Sequence, residues 1–118
     1  MSTIEYENLK YKVKTRIYKV DSSFGPGVAR IMELVKETGN LSKAYRTMGL
    51  SSSKGWKIIK RAEEDLGFAL IESITGGSGG GKSRLTEEGE LFLEKYSNFT
   101  KDLEIQCEKL FYKHFYNH

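Results

Sequence analysis

Residues 76–83, Gly-Gly-Ser-Gly-Gly-Gly-Lys-Ser, admit two incompatible architectures, and their flanks decide between them. The octet matches G-x-x-x-x-G-K-[ST], which cradles nucleotide phosphates when it follows a buried parallel strand and opens a helix at its Lys-Ser. Such a loop belongs to a parallel sheet covered by helices on both faces. Here the preceding run, Leu70-Ile71-Glu72-Ser73-Ile74-Thr75, alternates apolar and polar residues, as a half-buried antiparallel strand does. Lys82-Ser83-Arg84-Leu85 reads as a returning strand. The next helix is announced only at Thr86, an N-cap with Glu87 and Glu88 in its first turn. The pattern predicts a β-hairpin with a glycine tip.

The rest of the chain agrees. A nucleotide-binding α/β domain usually needs more than 118 residues, and no second apolar strand ending in Asp follows the glycine run. Neither a nucleotide cofactor nor an enzymatic function is expected, since no Ser-His-Asp, Cys-His or paired-carboxylate set stands out. Cys107 is the only cysteine, which excludes an intrachain disulfide and a cysteine-cluster zinc site. His114 and His118 lack a third ligand nearby, so no metal is expected. The first residues lack the basic-then-apolar plan of a signal peptide, and no apolar stretch could span a bilayer. A soluble cytoplasmic protein, with no membrane partner, is the expectation.

Charge is unevenly spread. Residues 40–84 carry net +4 and residues 1–20 carry +3, whereas residues 85–118 carry −3. Such asymmetry suits one face for a polyanion and another for a different partner.

Along the chain, Tyr11, Val13, Thr15 and Ile17 alternate with Lys10, Lys12, Lys14 and Arg16, predicting an N-terminal strand. Phe24, Val28, Ile31, Met32 and Val35 mark one face of a helix opened by Gly25-Pro26 and stopped at Gly39. A second helix follows Asn40 as N-cap, with Leu41, Ala44, Tyr45 and Met48 inward. Gly49 permits a turn, and Ser51 or Ser52 caps a third helix ending at Gly67. This third helix is expected to bury Trp56, Ile59, Ala62 and Leu66, and to expose Lys54, Lys57 and Arg61. Helix, glycine turn and helix over 41–66 form a helix-turn-helix unit, and a glycine-tipped hairpin after it is a wing. The fold class is therefore mainly α (α+β): a winged helix-turn-helix with an N-terminal strand, a β-hairpin wing and a long C-terminal helix.

That last helix, from Thr86 to about Phe115, repeats Phe92, Tyr96, Phe99, Leu103 and Leu110 at three- and four-residue steps, with Cys107 as a packed small apolar residue beside them. The stripe exceeds what one small domain needs to cover its core. Residues 1–85 are expected to form the DNA-binding domain and residues 86–118 a dimerisation element using Phe99, Leu103, Leu110 and Phe111.

Residues 24–96 resemble the winged-helix domain of the molybdate-responsive (ModE-type) transcriptional regulators and, more distantly, LysR-type DNA-binding domains. The resemblance rests on Phe24-Gly25 and Gly27, Glu37-Thr38-Gly39-Asn40-Leu41, Ala44, Met48-Gly49-Leu50-Ser51, Trp56, the double and triple glycines of 76–81, and Leu85-Thr86-Glu87-Glu88-Gly89. The chain departs from the family at Tyr45, Ser52, Gly55 and Lys82, so the family's operator does not carry over. Full regulators of this type continue into oxyanion-binding domains. No segment for molybdate is recognised in these 118 residues, and molybdate sensing is not expected of them.

The resemblance implies a sequence-specific transcriptional regulator that binds double-stranded DNA as a homodimer. Ser51, Ser52, Ser53, Lys54 and Lys57 would approach base edges or phosphates, with Lys60 and Arg61 nearer the backbone. Lys82, Ser83 and Arg84 would flank the minor groove or an adjacent phosphate. Trp56, on the inward stripe, would be structural. The alternative is a protein-interaction or dimerisation module on a winged scaffold that no longer binds DNA.

Overall fold

The structure, a computed structural model, describes residues 6–74 and 82–116. The elements are α1 (Pro26–Thr38), α2 (Leu41–Thr47), α3 (Ser52–Leu66), β1 (Ile71–Ser73), β2 (Ser83–Leu85) and α4 (Glu87–Phe115). This is the expected winged helix: mostly helical, with one antiparallel hairpin and a long final helix.

Local chemistry sets nearly every boundary. Pro26 opens α1, and Gly39 closes it in the left-handed conformation at φ 67°, its amide donating to the Val35 carbonyl. The Asn40 side chain accepts the Lys43 amide at 2.9 Å and caps α2. Ser51, rather than Ser52, caps α3 by accepting the Lys54 amide. Thr86 caps α4 by accepting from the Gly89 amide, while its hydroxyl donates to the Ala69 carbonyl at 2.6 Å. One threonine thus fixes the start of α4 against the approach to β1.

Phe24, Ile31, Met32, Val35 and Leu70 are fully buried and form the centre of the core. Phe24 meets Phe92 and Tyr96 edge-on, with ring centroids 4.7 and 5.0 Å apart, so the first half of α4 closes the core. The hairpin pairs Ile71 with Leu85, Glu72 with Arg84 and Ser73 with Ser83. Its returning strand is also fastened to the α1–α2 junction, because the Ser83 amide donates to the Gly39 carbonyl and Asn40 bridges Lys82.

Two expectations need correction. Trp56 does not face inward: it is 55% exposed, and its neighbour Gly55 is buried instead. A Cβ at Gly55 would overlap the Tyr45 ring, so the close approach of α2 and α3 depends on that missing side chain. The aromatic ring of α2 occupies the space and turns α3 so that Gly55, Ile59, Ala62 and Leu66 face the core.

The N-terminal segment is extended but forms no strand among the described residues; Ile17 alone pairs, with Phe24. Tyr11 and Val13 remain largely exposed. The segment lies along α4 instead of a sheet edge. Tyr6 meets Phe115 and Tyr11 meets Phe111, while the Tyr96 hydroxyl donates to the Thr15 carbonyl at 2.7 Å. Aromatic contact with a helix has replaced backbone pairing.

The glycine tip of the hairpin lies outside the described residues, as does His118. Its flanks are antiparallel, and the next helix begins at Glu87 rather than at Lys82-Ser83. That is hairpin geometry, without the parallel strand and immediate helix that a phosphate-cradling loop requires.

Candidate nucleic-acid interface

The outward side of α3 gathers most of the residues marked in the sequence. Ser51, Ser52, Ser53, Lys54, Lys57, Lys60 and Arg61 are all exposed. The inward seat of Gly55, Ile59, Ala62 and Leu66 dictates this, because a helix with one buried stripe presents its opposite face to solvent.

The cations on this face are not equivalent. Among the described residues Lys54 and Lys57 have no carboxylate partner. Lys60 lies 3.6 Å from Glu63 and 5.7 Å from the centre of the Trp56 ring. Arg61 is held by Asp21, donating from Nη2 at 3.0 Å and from Nε at 3.2 Å. The Arg61–Asp21 pair is exposed at both ends, and such pairs contribute only about 0–1 kcal/mol, so a phosphate can compete for Arg61.

Asp65 continues the tether that Asp21 begins. Its carboxylate accepts the successive amides of Lys19, Val20 and Asp21 at 2.7–2.8 Å. These bonds, led by those from Asp21 and Lys19, hold its pKa below the usual carboxylate value. The end of α3 and the start of the extended arm are therefore one unit, a connection that no local pattern announced.

On the hairpin, Arg84 donates to Glu72 across the strands at 2.7 Å, and both side chains are exposed. Lys82 is exposed beside it. Ser83 points inward and is buried, with its amide spent on Gly39. The Glu63 side chain accepts the Leu70 amide at 2.7 Å and the Ile71 amide at 3.3 Å, which anchors the hairpin's base to one flank of α3. α3 and the root of the hairpin are joined through this carboxylate.

The α4 residues divide. Phe99 and Leu110 are about half exposed, and Leu103 is partly buried. Phe111 is partly covered within its own chain by Tyr11, at 4.6 Å. Exposed Ile105 and Tyr112, not marked in the sequence, extend the apolar surface of the distal helix. Cys107 is partly buried beside the arm. No helix among the described residues is long and apolar enough to cross a membrane, and they contain no cluster of ligands suited to a metal ion.

Comparison with known proteins agrees with this geometry. Residues 28–90 match the family of bacterial regulatory helix-turn-helix proteins, lysR family. The chain is 33% identical over 70 residues to the molybdenum transport protein ModE of Herbaspirillum seropedicae, covering 59% of this chain and 24% of that protein. It is 30% identical over 66 residues to the transcriptional regulator ModE of Yersinia pestis, covering 56% and 25%. A molybdenum-pterin-binding protein, MopA of Rhodobacter capsulatus, is 30% identical over 64 residues, covering 54% and 24%. The chain thus matches about a quarter of the length of each of these relatives. With its capped helix-turn-helix, its hairpin wing and a match running from α1 into α4, the chain belongs to the LysR-type bacterial regulatory helix-turn-helix family.

Proposed function

We propose that this chain is the DNA-binding part of a transcriptional regulator, that residues 1–85 contact duplex DNA, and that residues 86–118 join two copies. The observation that carries the reading is the exposed face of α3, where Lys54 and Lys57 have no carboxylate partner among the described residues and stand beside three serines on a helix fixed to the hairpin. In this reading α3 enters the major groove and the serines and Lys54 approach base edges. Lys57, Lys60 and Arg61 meet phosphates. Lys82 and Arg84 track the backbone from the wing; Ser83, being buried, supports the hairpin.

The same reading assigns no catalysis and no molybdate response to the winged unit. Two copies pair through Phe99, Leu103 and Leu110 on α4, because an exposed apolar stripe on a projecting helix is costly to leave in water. The two reading helices would then meet an inverted repeat with half-sites about one helical turn apart.

The test is binding of duplexes selected from a random pool, followed by fluorescence anisotropy across a salt series. A dimer neutralising roughly six to ten phosphates gives a log K against log salt slope of about −5 to −9. Lys57→Ala weakens binding and flattens the slope, while Lys109→Ala on distal α4 does neither. Binding to no duplex at low salt would favour a protein-interaction module.

A further inference from the structure

α3 carries one exposed side chain that charge does not explain. Lys54, Lys57, Lys60 and Arg61 are cations and Ser52 and Ser53 are small and polar, yet Trp56 stands among them 55% exposed. It is the only tryptophan of the chain. Its outward position is structurally enforced. Gly55 must sit under the Tyr45 ring, because any side chain there would overlap it, and the next residue then lies about 100° further round the helix.

The ring is also placed with respect to the wing. Trp56 and Glu63 are seven residues apart and so share one flank of α3. Glu63 binds the Leu70 and Ile71 amides at the base of β1. Trp56 therefore lies on the flank from which the hairpin leaves, nearly two turns closer to the helix start. It is the fifth residue of α3, within the part of a reading helix that reaches base edges. Lys60 Nζ lies 5.7 Å from the ring centre and restrains the ring by cation–π attraction.

We propose that Trp56 is a specificity-determining residue that packs its indole on the C5-methyl group of thymine in the major groove. This inference rests on the DNA-binding reading above. Thymine's methyl group is the one apolar feature that major-groove base edges present, and an apolar side chain on a reading helix is its natural complement. The serines around Trp56 pair with several base edges and the lysines are point charges on flexible stems, so this set discriminates bases less sharply than Arg, Asn or Gln would. The indole supplies a preference that they lack. Lys60, restrained over the ring, positions it and turns its charge toward the neighbouring phosphate.

The experiment uses the intact chain and a duplex selected from a random pool. Binding is followed by anisotropy of labelled DNA and, separately, by emission of the single tryptophan with unlabelled DNA. Each thymine is then replaced by uracil, which deletes only the methyl group. The expected result is an emission change that saturates with the anisotropy. Uracil at one or two positions per half-site should weaken wild-type binding about fourfold each. Trp56→Ala should lose that uracil sensitivity, while Trp56→Phe keeps part of it. Equal uracil profiles for wild type and Trp56→Ala would overturn the proposal, as would constant emission during saturating binding. A uniform loss in Trp56→Ala with no uracil-sensitive position in wild type would assign the ring to the sugar–phosphate backbone, and overturn it too. No anisotropy rise on any duplex would remove the DNA-binding reading itself, and this inference with it.

Discussion

The winged unit and the distal half of α4 obey different rules. In the winged unit the core side chains are partnered within the same chain: Phe24 against Phe92 and Tyr96, Tyr45 over Gly55, Leu70 at the centre. Beyond Tyr96 the helix continues for almost twenty residues with the extended arm along one side, and Phe99, Ile105, Leu110 and Tyr112 remain exposed. The molecule measures 72 × 26 × 22 Å, far longer than its core. A 29-residue helix is roughly 43 Å long, so α4 accounts for much of that length. The first region is specified by its own packing. The second carries hydrophobic periodicity without a full partner among the described residues, and this is the surface that the proposed pairing of two copies would use.

The largest test of this contrast is to cut the chain after Tyr96. The core loses nothing of its buried set, whereas the surface proposed to join two copies disappears. The shortened protein should remain folded by circular dichroism and sediment as a monomer. Its affinity for an inverted repeat should fall by about a hundredfold or more, because two linked half-site contacts become one. A shortened chain that binds DNA as well as the intact one, or an intact chain that sediments as a monomer at tens of micromolar, sinks the idea that distal α4 joins two copies.

Within the winged unit the sharpest probe is the Tyr45–Gly55 contact. Gly55→Ala places a methyl group against a buried ring that has little room to move, and overpacking of this kind costs about 1–3 kcal/mol. In a Tyr45→Ala background the same substitution meets no ring. There it should stabilise by up to about 1 kcal/mol, because alanine outperforms glycine inside a helix. The sign reversal, read from chemical denaturation of the four proteins of the cycle, is the prediction. Equal effects in both backgrounds would mean that Gly55 does not set the phase of α3.

That contact also explains which parts of the molecule were legible in the sequence. Asn40, Ser51, Thr86, Gly39 and Gly67 act within a few residues of themselves, so their roles as caps and stops could be read directly. The hairpin was legible for the same reason, through the alternation of 70–75 and the late helix start at Thr86. The phase of α3 was not. Periodicity gives a large apolar residue to the core by default, and Trp56 precedes Ile59 by the helical three. What overrides it is a ring from another helix seated on a glycine, a fact about α2 that α3's own pattern does not contain. The arm failed in the same way. Alternating Tyr, Val, Thr and Ile suggest a strand, but a strand needs an edge to pair with, and this segment meets the aromatics of α4. The exposed cations of α3 were legible one by one, while the Asp21 and Asp65 tether, spanning some forty residues, was not.

That tether fixes the root of the arm to α3, and it supplies the smallest and most local of the expected effects. Asp65, near the end of α3, accepts three amides from the point where the arm turns back toward the core. The bonds favour the ionised carboxylate and lower its pKa relative to the unfolded chain, where an aspartate titrates near 4. The contribution is therefore fully present above about pH 4 and fades as pH falls through the lower folded value. Asp65→Asn keeps the shape but removes the charge and one acceptor oxygen. Its melting temperature should lie below wild type at pH 7, and the gap should shrink below pH 4, as the wild-type carboxyl protonates. Amide exchange should rise first at Lys19, Val20 and Asp21, with the core helices unchanged. If the gap is constant from pH 7 to pH 2, the ionised carboxylate is not what holds the arm. If exchange rises equally across α1 and α2, the tether belongs to the winged unit's global stability and does not act locally on the arm.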